Sequence, residues 1–320
     1  MKSLYNRRKF LKTSSLLSAA SLVGGMIPGV VSAAQSCTNG RLGWTPGVQT
    51  YMLRSILSRN TVDVFESLAE IGYQELELFG FGGDLDSTDS LLFGLSLTRF
   101  SELISSLGFT VPCAHINNDG EDAGYAGELV DALNIKYLIE PLAQELLAPD
   151  ADNPDRQGLA TVAQVQALGN RLNRRAERIA ELGAGFAYHN HSLEFETIDG
   201  ETCWDILMAN TDPDLVKIEL DVGWVAVAER DPVELLQQYS GRVVATHMKD
   251  YASDRPLPEG NEPFGAVSNL VPPGSGTVDF AAINRQLDID GVEHRFVEVD
   301  VTNSPLADAT SGLCHLASLR

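Results

Sequence analysis

Downstream of residue 44, short apolar segments alternate with longer segments whose apolar residues recur at helical spacing. Thr61–Ile71 has the pattern of an amphipathic helix that Gly72 ends, and Tyr73–Phe79 has the period-two pattern of a strand, with Glu75 and Glu77 on one face. On these patterns we predict strands at residues 45–50, 73–79, 109–114, 135–139, 186–189, 216–221, 243–247 and 295–299, and helices at 61–71, 98–107, 126–133, 158–182, 204–209, 232–239, 278–287 and 306–319.

Strict alternation of strands and helices implies parallel strands joined by right-handed crossovers. Roughly eight such units predict a closed (β/α)8 barrel, a TIM barrel, formed as a single domain by residues 35–320. The first strand is not followed by a glycine-rich phosphate-binding fingerprint, which counts against a nucleotide-binding Rossmann fold.

The first 34 residues read as a twin-arginine signal peptide. Arg7 and Arg8 precede a short apolar region, and Ala33-Ala34 offers a small-residue cleavage site. We therefore expect a periplasmic protein without a stable membrane span after processing. The formal net charge of -21 argues against nucleic acid as a partner, and the sequence carries no signal for the oligomeric state.

In a (β/α)8 barrel the active site is built from the C-terminal ends of the strands and the loops that follow them. Four of the six histidines in the chain fall at such positions. The complete set of polar strand-end residues is Gln49, Glu77, His115, Glu140, His189, Asn190, His191, Asp221, His247, Lys249 and Glu298.

Asp221, His247 and Glu298 combine carboxylate and imidazole ligands without a thiolate, and His189 is the natural fourth ligand because its strand precedes that of Asp221. This ligand set suits Mn, Mg, Co or Zn. Lys249 lies two residues beyond His247, where a lysine can hold a substrate oxygen or stabilise an enolate charge.

Five segments, in this order, resemble the sugar phosphate isomerase/epimerase family of xylose isomerase-like TIM barrels, in its exported, twin-arginine branch: residues 188–195, 219–224, 247–250, 274–280 and 297–300. The resemblance covers the chain from about residue 47 onward. It implies a small sugar as substrate and a divalent metal held by carboxylates and a histidine. It also implies proton abstraction next to a carbonyl through a metal-bound enediolate, which is isomerase or epimerase chemistry.

One position departs from the family pattern, because many of its epimerases have glutamate where this chain has His189. That glutamate is both a ligand and one of two bases, so a symmetric two-carboxylate epimerisation is in doubt here. Glu298 matches the second base, and His191 or Glu194 is the candidate for the other proton transfer. A 3-keto-glycoside lyase or hydratase and a non-catalytic periplasmic sugar-binding protein are the alternatives. The candidate substrate contacts are Gln49, Glu77, His115, Asn190 and Trp224, the last by stacking on a sugar face or as core packing.

Overall fold

Eight parallel strands close into a barrel in the computed structural model, which describes residues 42–57, 59–81, 92–116, 123–146, 161–254 and 265–319. The strands are β1 (Thr45–Gln49), β2 (Glu75–Phe81), β3 (Thr110–Ile116), β4 (Tyr137–Glu140), β5 (Gly185–His189), β6 (Val216–Asp221), β7 (Val243–Met248) and β8 (His294–Val297). Each strand pairs with its neighbours in the chain, and β1 closes the barrel on β8 with Thr45 opposite His294. The predicted (β/α)8 barrel is thus confirmed.

A helix follows every strand of the barrel. These helices are α1 (Thr61–Ile71), α2 (Leu97–Leu107), α3 (Ala123–Leu133), α4 (Val162–Ala180), α5 (Cys203–Ala209), α6 (Pro232–Gln238), α7 (Phe280–Asp290) and α8 (Pro305–Ser318). Local sequence explains their ends: Thr161 and Gln164 form a capping box at the start of α4, and Gly72 and Gly108 take left-handed conformations after α1 and α2.

Two predictions extend beyond the residues that the structure describes. The predicted signal peptide, residues 1–34, lies outside them, as does the predicted start of the long helix at residue 158. Two short helices that the patterns did not indicate, Arg54–Leu57 and Val222–Val227, lie at the ends of β1 and β6. No helix within the described ranges combines the length and the hydrophobicity that a bilayer span requires.

An apolar layer fills the barrel below its C-terminal end. Cys113, Ile139, Ala187, Ala245 and Phe296 form a separate cluster of fully buried side chains. A Cβ at Gly47 would lie 2.5 Å from the Phe296 ring, so the glycine makes room for that ring. Because strand side chains alternate, residues two positions further along these strands also point into the barrel. The apolar layer therefore supports a polar layer directly above it.

Candidate metal centre

The structure brings three of the predicted metal ligands together at the C-terminal end of the barrel. Asp221, His247 and Glu298 each offer one ligand atom, and these atoms lie within 4.8 Å of one another. His247 Nδ1 is 2.9 Å from Glu298 Oε2 and 3.6 Å from Asp221 Oδ2. All three side chains are buried. Burial of two carboxylates beside an imidazole is favourable when a cation compensates their charge.

Hydrogen bonds to both the side chain and the backbone of Asp221 orient its carboxylate towards this group. Its Oδ1 accepts a hydrogen bond from the Trp224 amide at 3.0 Å and so caps the helix Val222–Val227. Asn190 accepts the Asp221 N–H at 3.0 Å through Oδ1 and donates to the Asp221 carbonyl at 3.3 Å through Nδ2. The cap leaves Asp221 Oδ2 facing His247. Asn190, a predicted substrate contact, braces the backbone of a ligand.

His189 stands between two carboxylates, with one ring nitrogen towards each. Its Nε2 lies 3.6 Å from Asp221 Oδ2, and its Nδ1 lies 3.0 Å from Glu219 Oε2. The Nε2 side is therefore placed for the predicted role of fourth ligand. Burial, followed by the neighbouring His247, keeps the pKa of His189 well below its usual value, so the ring is neutral and able to bind a metal.

Beneath these ligands lies a second buried group that contains Glu77, His115 and Glu219. Glu77 Oε2 is 2.5 Å from His247 Nε2, and His115 Nε2 is 2.8 Å from Glu219 Oε2 and 3.4 Å from Glu77 Oε1. Glu77 and His115 were predicted as substrate contacts, but here they contact other protein side chains. Glu219 is absent from the predicted site residues, although it lies two positions before Asp221 and so on the same strand face.

Mutual hydrogen bonding shifts the pKa values of this lower group. Burial alone lowers the pKa of His115, but the charge of Glu77 and hydrogen bonds to Glu219 and Glu77 outweigh it and raise that pKa to about 9. Burial alone would raise the pKa of Glu77, and the charges of His115 and His247 instead bring it below the usual value. His115 and Glu77 are thus held as a charged pair at neutral pH.

Lys249 contributes a buried ammonium to the centre. Its Nζ lies 2.8 Å from Asp221 Oδ2, 2.8 Å from Glu298 Oε2 and 2.6 Å from Asp300 Oδ2. Burial opposes the charge, but the three carboxylates more than compensate and keep the lysine pKa well above its usual value. Asp300 was not predicted either; it follows Glu298 by two residues, the spacing that places both on one side of the chain.

One wall of the centre is formed by His191 and Trp224. The His191 ring centroid lies 5.0 Å from that of His189 and 5.2 Å from that of Trp224, and Lys249 Nζ lies 5.7 Å from the Trp224 ring centroid. Burial and the charge of Lys249 lower the pKa of His191 to about 3, so its ring is neutral at neutral pH.

Gln49 lies at the end of β1, on the strand next to Glu77. It is fully buried, and its Oε1 accepts the Tyr51 N–H at 3.0 Å. Its Nε2 donor has no hydrogen-bond partner. A buried donor without a partner costs free energy of folding, so this amide is available to donate a hydrogen bond to an oxygen atom of a ligand.

Glu194, predicted as a catalytic residue, supports the loop that carries His191. Its Oε1 accepts from the Tyr188 hydroxyl at 2.8 Å, and its Oε2 accepts the His191 N–H at 3.0 Å. Burial is the main reason that the pKa of Glu194 is raised to about 7, against hydrogen bonds that lower it. The hydrogen bonds of this carboxylate therefore go to the Tyr188 hydroxyl and the loop rather than to the ligand group.

Two other acidic residues at strand ends have structural partners. Glu140 is fully buried and pairs with Arg171 at 2.7 Å and with Arg175 at 2.5 Å, both on α4. Asp250 accepts the backbone N–H groups of Gly274 at 2.9 Å and Gly276 at 2.7 Å through Oδ2. Asp250 thus ties the segment after β7 to the glycine-rich segment before α7.

The donor set of the centre fits a divalent cation. Among the residues that the structure describes, four buried carboxylates and a fifth, half-buried one meet here around Lys249 and the histidines: Glu77, Glu219, Asp221 and Glu298, with Asp300 half-buried. The positive charges of Lys249, His115 and His247, whose pKa values these carboxylates raise, do not balance the five carboxylates. The carboxylates around His247 hold its pKa well above the usual value, so its Nδ1 would lose a proton when a cation binds. A divalent ion bound by Asp221, Glu298, the neutral Nε2 of His189 and the Nδ1 of His247 would be held by oxygen and imidazole ligands of the kind that Mn, Mg, Co and Zn accept.

Comparison with solved structures gives the same fold. A sugar phosphate isomerase/epimerase from Parabacteroides distasonis ATCC 8503 superposes with a TM-score of 0.67 at 20% identity, over 88% of this chain and 97% of that one. The IOLI protein, solved with a bound zinc atom, superposes with a TM-score of 0.58 at 15% identity, over 86% of this chain and 96% of that one. Both superpositions agree with the (β/α)8 barrel predicted from the sequence.

Sequence comparison yields more limited matches. The inosose dehydratase of Lactiplantibacillus plantarum (strain ATCC BAA-793 / NCIMB 8826 / WCFS1) is 36% identical over 121 residues, which cover 36% of this chain and 40% of that protein. The chain spans about two fifths of the length of the first curated relatives that it matches. No family model matches the chain.

Proposed function

We propose that this protein is a metal-dependent enzyme that removes a proton from the carbon next to a carbonyl group in a small sugar or keto-sugar. The observation that carries the proposal is the convergence of Asp221, His247 and Glu298 within 4.8 Å in a barrel of the xylose isomerase-like fold. Asp221, His247, Glu298 and the Nε2 side of His189 would hold the cation. When bound, the cation supplies Lewis-acid polarisation of the substrate carbonyl.

Glu298 is the residue that we assign as the base. Burial raises its pKa, but Lys249 and His247 more than compensate and keep the pKa well below the usual value, so the carboxylate is ionised and able to accept a proton. Lys249 then donates hydrogen bonds to the oxygen on which negative charge develops, at a position fixed by Asp221 and Asp300. Trp224 and His191, whose rings lie 5.2 Å apart at one wall of the centre, would contact the substrate there.

Loss of water is the outcome that the site favours after proton removal. An epimerisation returns the proton to the opposite face and is served by a second carboxylate, but this chain has His189 where the family pattern has glutamate. In a dehydration, one base removes the proton, the bond between the next carbon and its hydroxyl oxygen breaks, and the base returns the proton to that hydroxyl group, which leaves as water. Curated relatives at 28% to 36% identity are named inosose dehydratase, which supports a cyclic or open keto-sugar as substrate.

Isomerisation or epimerisation is the second candidate, with Glu298 as one base and the neutral His191 as the residue for the other proton transfer. Incubation with a panel of keto-sugars in deuterated water, followed by NMR of the products, separates the candidates. Dehydration gives an unsaturated product that has lost water. Epimerisation gives an isomer that carries solvent deuterium. A non-catalytic sugar-binding protein gives neither product nor deuterium uptake, and that result would contradict the enzymatic proposal.

Glu298→Gln tests the assignment of the base. The amide keeps the size of the side chain but accepts no proton, so we expect turnover to fall below detection while the thermal unfolding transition remains cooperative. Wild-type activity in this variant would refute the assignment. The control is Glu140→Gln, which removes a buried carboxylate of a neighbouring strand end whose partners are Arg171 and Arg175; folded protein of this variant should retain turnover.

We also propose that the chain is exported to the periplasm by the twin-arginine route. Support comes from the pair Arg7-Arg8 in the leader and from Cys314 on α8, which is disulfide-bonded, since disulfides persist in oxidising compartments. Changing Arg7 and Arg8 to lysine should retain the precursor in the cytoplasm. Equal periplasmic recovery of the variant and the wild type would contradict the route.

A further inference from the structure

Both histidines that face the proposed metal position are hydrogen-bonded to a buried carboxylate through their other ring nitrogen. Glu219 Oε2 lies 3.0 Å from His189 Nδ1, and Glu77 Oε2 lies 2.5 Å from His247 Nε2. An ionised carboxylate only accepts hydrogen bonds, so the ring N–H must lie on the nitrogen that faces it. His189 Nε2 keeps its lone pair on the side of Asp221. His247 Nδ1 lies 2.9 Å from Glu298 Oε2 and 3.6 Å from Asp221 Oδ2, so it is the nitrogen that would give up its proton to a cation bound there.

His115 joins the two carboxylates to each other. Its Nε2 lies 2.8 Å from Glu219 Oε2 and 3.4 Å from Glu77 Oε1. Its ring also stacks on that of His247, with centroids 5.3 Å apart and planes 13° from parallel. We call Glu77, His115 and Glu219 the ligand platform. The ligand platform lies between the apolar layer of the barrel and the proposed ligands.

We propose that the ligand platform consists of positioning residues that fix the tautomer and orientation of His189 and His247 and thereby set the affinity of the centre for its cation. This inference rests on the metal site of the proposed function. Carboxylates that accept the second N–H of a ligating histidine typically change metal affinity 10- to 100-fold when they are removed. Here two such carboxylates share one histidine, so the loss of His115 should affect both ligands.

A second metal ion in the ligand platform is the competing explanation, because His115, His189, Glu219 and His247 also present ligand atoms within 4.8 Å of one another. The short contacts favour the positioning role. Separations of 2.5 to 3.0 Å between a ring nitrogen and a carboxylate oxygen are those of charge-assisted hydrogen bonds. A cation in this group would take the lower nitrogens of His189 and His247 and leave Glu77 without its hydrogen-bond donor.

A second buried histidine–glutamate pair in the barrel provides a control, because its loss should lower the stability of the fold without changing metal affinity. His294 Nδ1 lies 2.9 Å from Glu75 Oε2, and both residues are buried in the same barrel. They lie at the opposite, N-terminal ends of β8 and β2, below the apolar layer. Loss of this imidazole–carboxylate pair should destabilise the fold to a degree comparable with the loss of a platform pair, without contact to the metal position.

The experiment measures the affinity of metal-free protein for Zn²⁺ and Mn²⁺ by competition with a chromophoric chelator, in the absence of any sugar. We expect one ion per chain in the wild type, weaker binding by 10- to 100-fold in Glu219→Gln and His115→Ala, and partial recovery in His115→Gln, whose amide can still donate to Glu219. His294→Gln should bind as the wild type does. Circular dichroism verifies that each variant is folded, and Glu77→Gln replaces any variant that is not.

The alternative outcomes are distinguishable. Unchanged affinity in folded platform variants that have lost only thermal stability would overturn the positioning role. Two ions in the wild type and one in Glu219→Gln would also overturn it, in favour of a second metal site. Absence of metal binding in the wild type would refute the metal site itself. Metal binding without activity on any sugar would contradict the proposed reaction but leave the positioning role intact.

Discussion

The ammonium group of Lys249 lies 2.8 Å from Asp221 Oδ2, so a cationic side chain already contacts a carboxylate that we propose as a metal ligand. The same ammonium lies 2.8 Å from Glu298 Oε2. Lys249 therefore compensates the charge of these carboxylates in the folded chain, and a cation that binds there must share them with it. On the proposed mechanism, Lys249 therefore has two roles: it donates to the oxyanion of the substrate, and it offsets the charge of two metal ligands.

Lys249→Met should separate these two roles. The methionine has a similar shape but no charge, so Asp221, Glu298 and Asp300 lose their buried counter-ion, and the metal-free protein should be destabilised by several kcal/mol. Added Zn²⁺ or Mn²⁺ should then raise the unfolding temperature more in the variant than in the wild type. Turnover should fall about 100-fold or more even with metal present, because a donor to the developing oxyanion is lost.

Differential scanning calorimetry with and without a chelator measures the first effect, and initial rates at saturating metal measure the second. Lys217→Met is the control, since Lys217 is a partly exposed lysine whose ammonium contacts the Pro213 carbonyl. The interpretation would be wrong if metal raised the unfolding temperature of Lys249→Met and of the wild type by the same amount.

The barrel could be predicted from the sequence because its signals are local. Helical spacing of apolar residues, glycines after helices and polar residues at strand ends each act within a few positions of the chain. The same strand-end rule places Asp221, His247 and Glu298 at one rim, and in the structure their ligand atoms lie within 4.8 Å of one another. It depends only on the shared direction of parallel strands, which places every strand end at the same rim.

What the sequence did not reveal is the partner that each polar side chain meets across the barrel. Glu140 and Asn190 obey the strand-end rule, yet one is neutralised by Arg171 and Arg175 on α4 and the other braces the backbone of Asp221. The strand-end rule does not select Glu219, because it considers only the last residue of a strand and Glu219 lies two positions earlier on the same face. Such pairings are set by packing between distant segments, and no local periodicity encodes them.

The two carboxylate oxygens of Asp221 have different roles: Oδ1 caps a helix, and Oδ2 faces His247 and Lys249. A pair of variants should separate the two roles. Asp221→Asn can retain the helix cap through its side-chain oxygen, but it removes the negative charge beside His247 and Lys249. We expect metal affinity to fall at least 10-fold with a modest change in stability. Asp221→Ala loses the cap as well, which should cost roughly a further 1 kcal/mol.

Chelator competition and urea denaturation, applied to both variants in parallel, measure these quantities. The Asp231→Asn and Asp231→Ala pair is the control, because Asp231 caps α6 through a hydrogen bond to the Val233 amide and lies outside the ligand group. Equal metal affinity in wild type and Asp221→Asn would remove Asp221 from the ligand set.

The ionisation of Glu194 should make the stability of the fold depend on pH, and a glutamine at this position should not. Burial raises the pKa of Glu194 to about 7 in the folded state, whereas an unfolded glutamate titrates near 4.5. Below pH 4.5 both states are protonated. Between pH 4.5 and 7 the unfolded state loses its proton first, so this residue lowers the free energy of unfolding as pH rises, by roughly 3 kcal/mol in total.

Glu194→Gln removes this titration while its amide can still accept the His191 N–H and contact the Tyr188 hydroxyl. The variant should therefore gain stability relative to the wild type as pH rises from 5 to 8. The difference in free energy of unfolding between the two proteins, measured by urea denaturation at each pH, isolates the residue from the other titrating groups. A difference that stays constant across this range would show that Glu194 ionises normally.

Gly276 should tolerate no larger residue, because the segment after β7 passes directly over it. A Cβ at this position would overlap the Asp250 carboxylate and lie 2.5 Å from the Tyr251 carbonyl oxygen. Asp250 in turn accepts the N–H of Gly276 at 2.7 Å, so the backbone cannot move away without loss of that hydrogen bond. We expect Gly276→Ala to destabilise the fold by roughly 1–3 kcal/mol.

Gly127→Ala is the matched control for this prediction. Gly127 lies within α3, and a Cβ there would meet Leu182 Cδ2 at 3.6 Å, which is ordinary van der Waals contact. Alanine favours a helix over glycine by up to about 1 kcal/mol, so this variant should be more stable than the wild type. Thermal denaturation should thus shift in opposite directions for the two substitutions. A neutral Gly276→Ala would mean that the contact between Asp250 and the glycine-rich segment does not form in solution, and the support that it gives to the loop after Lys249 would be lost with it.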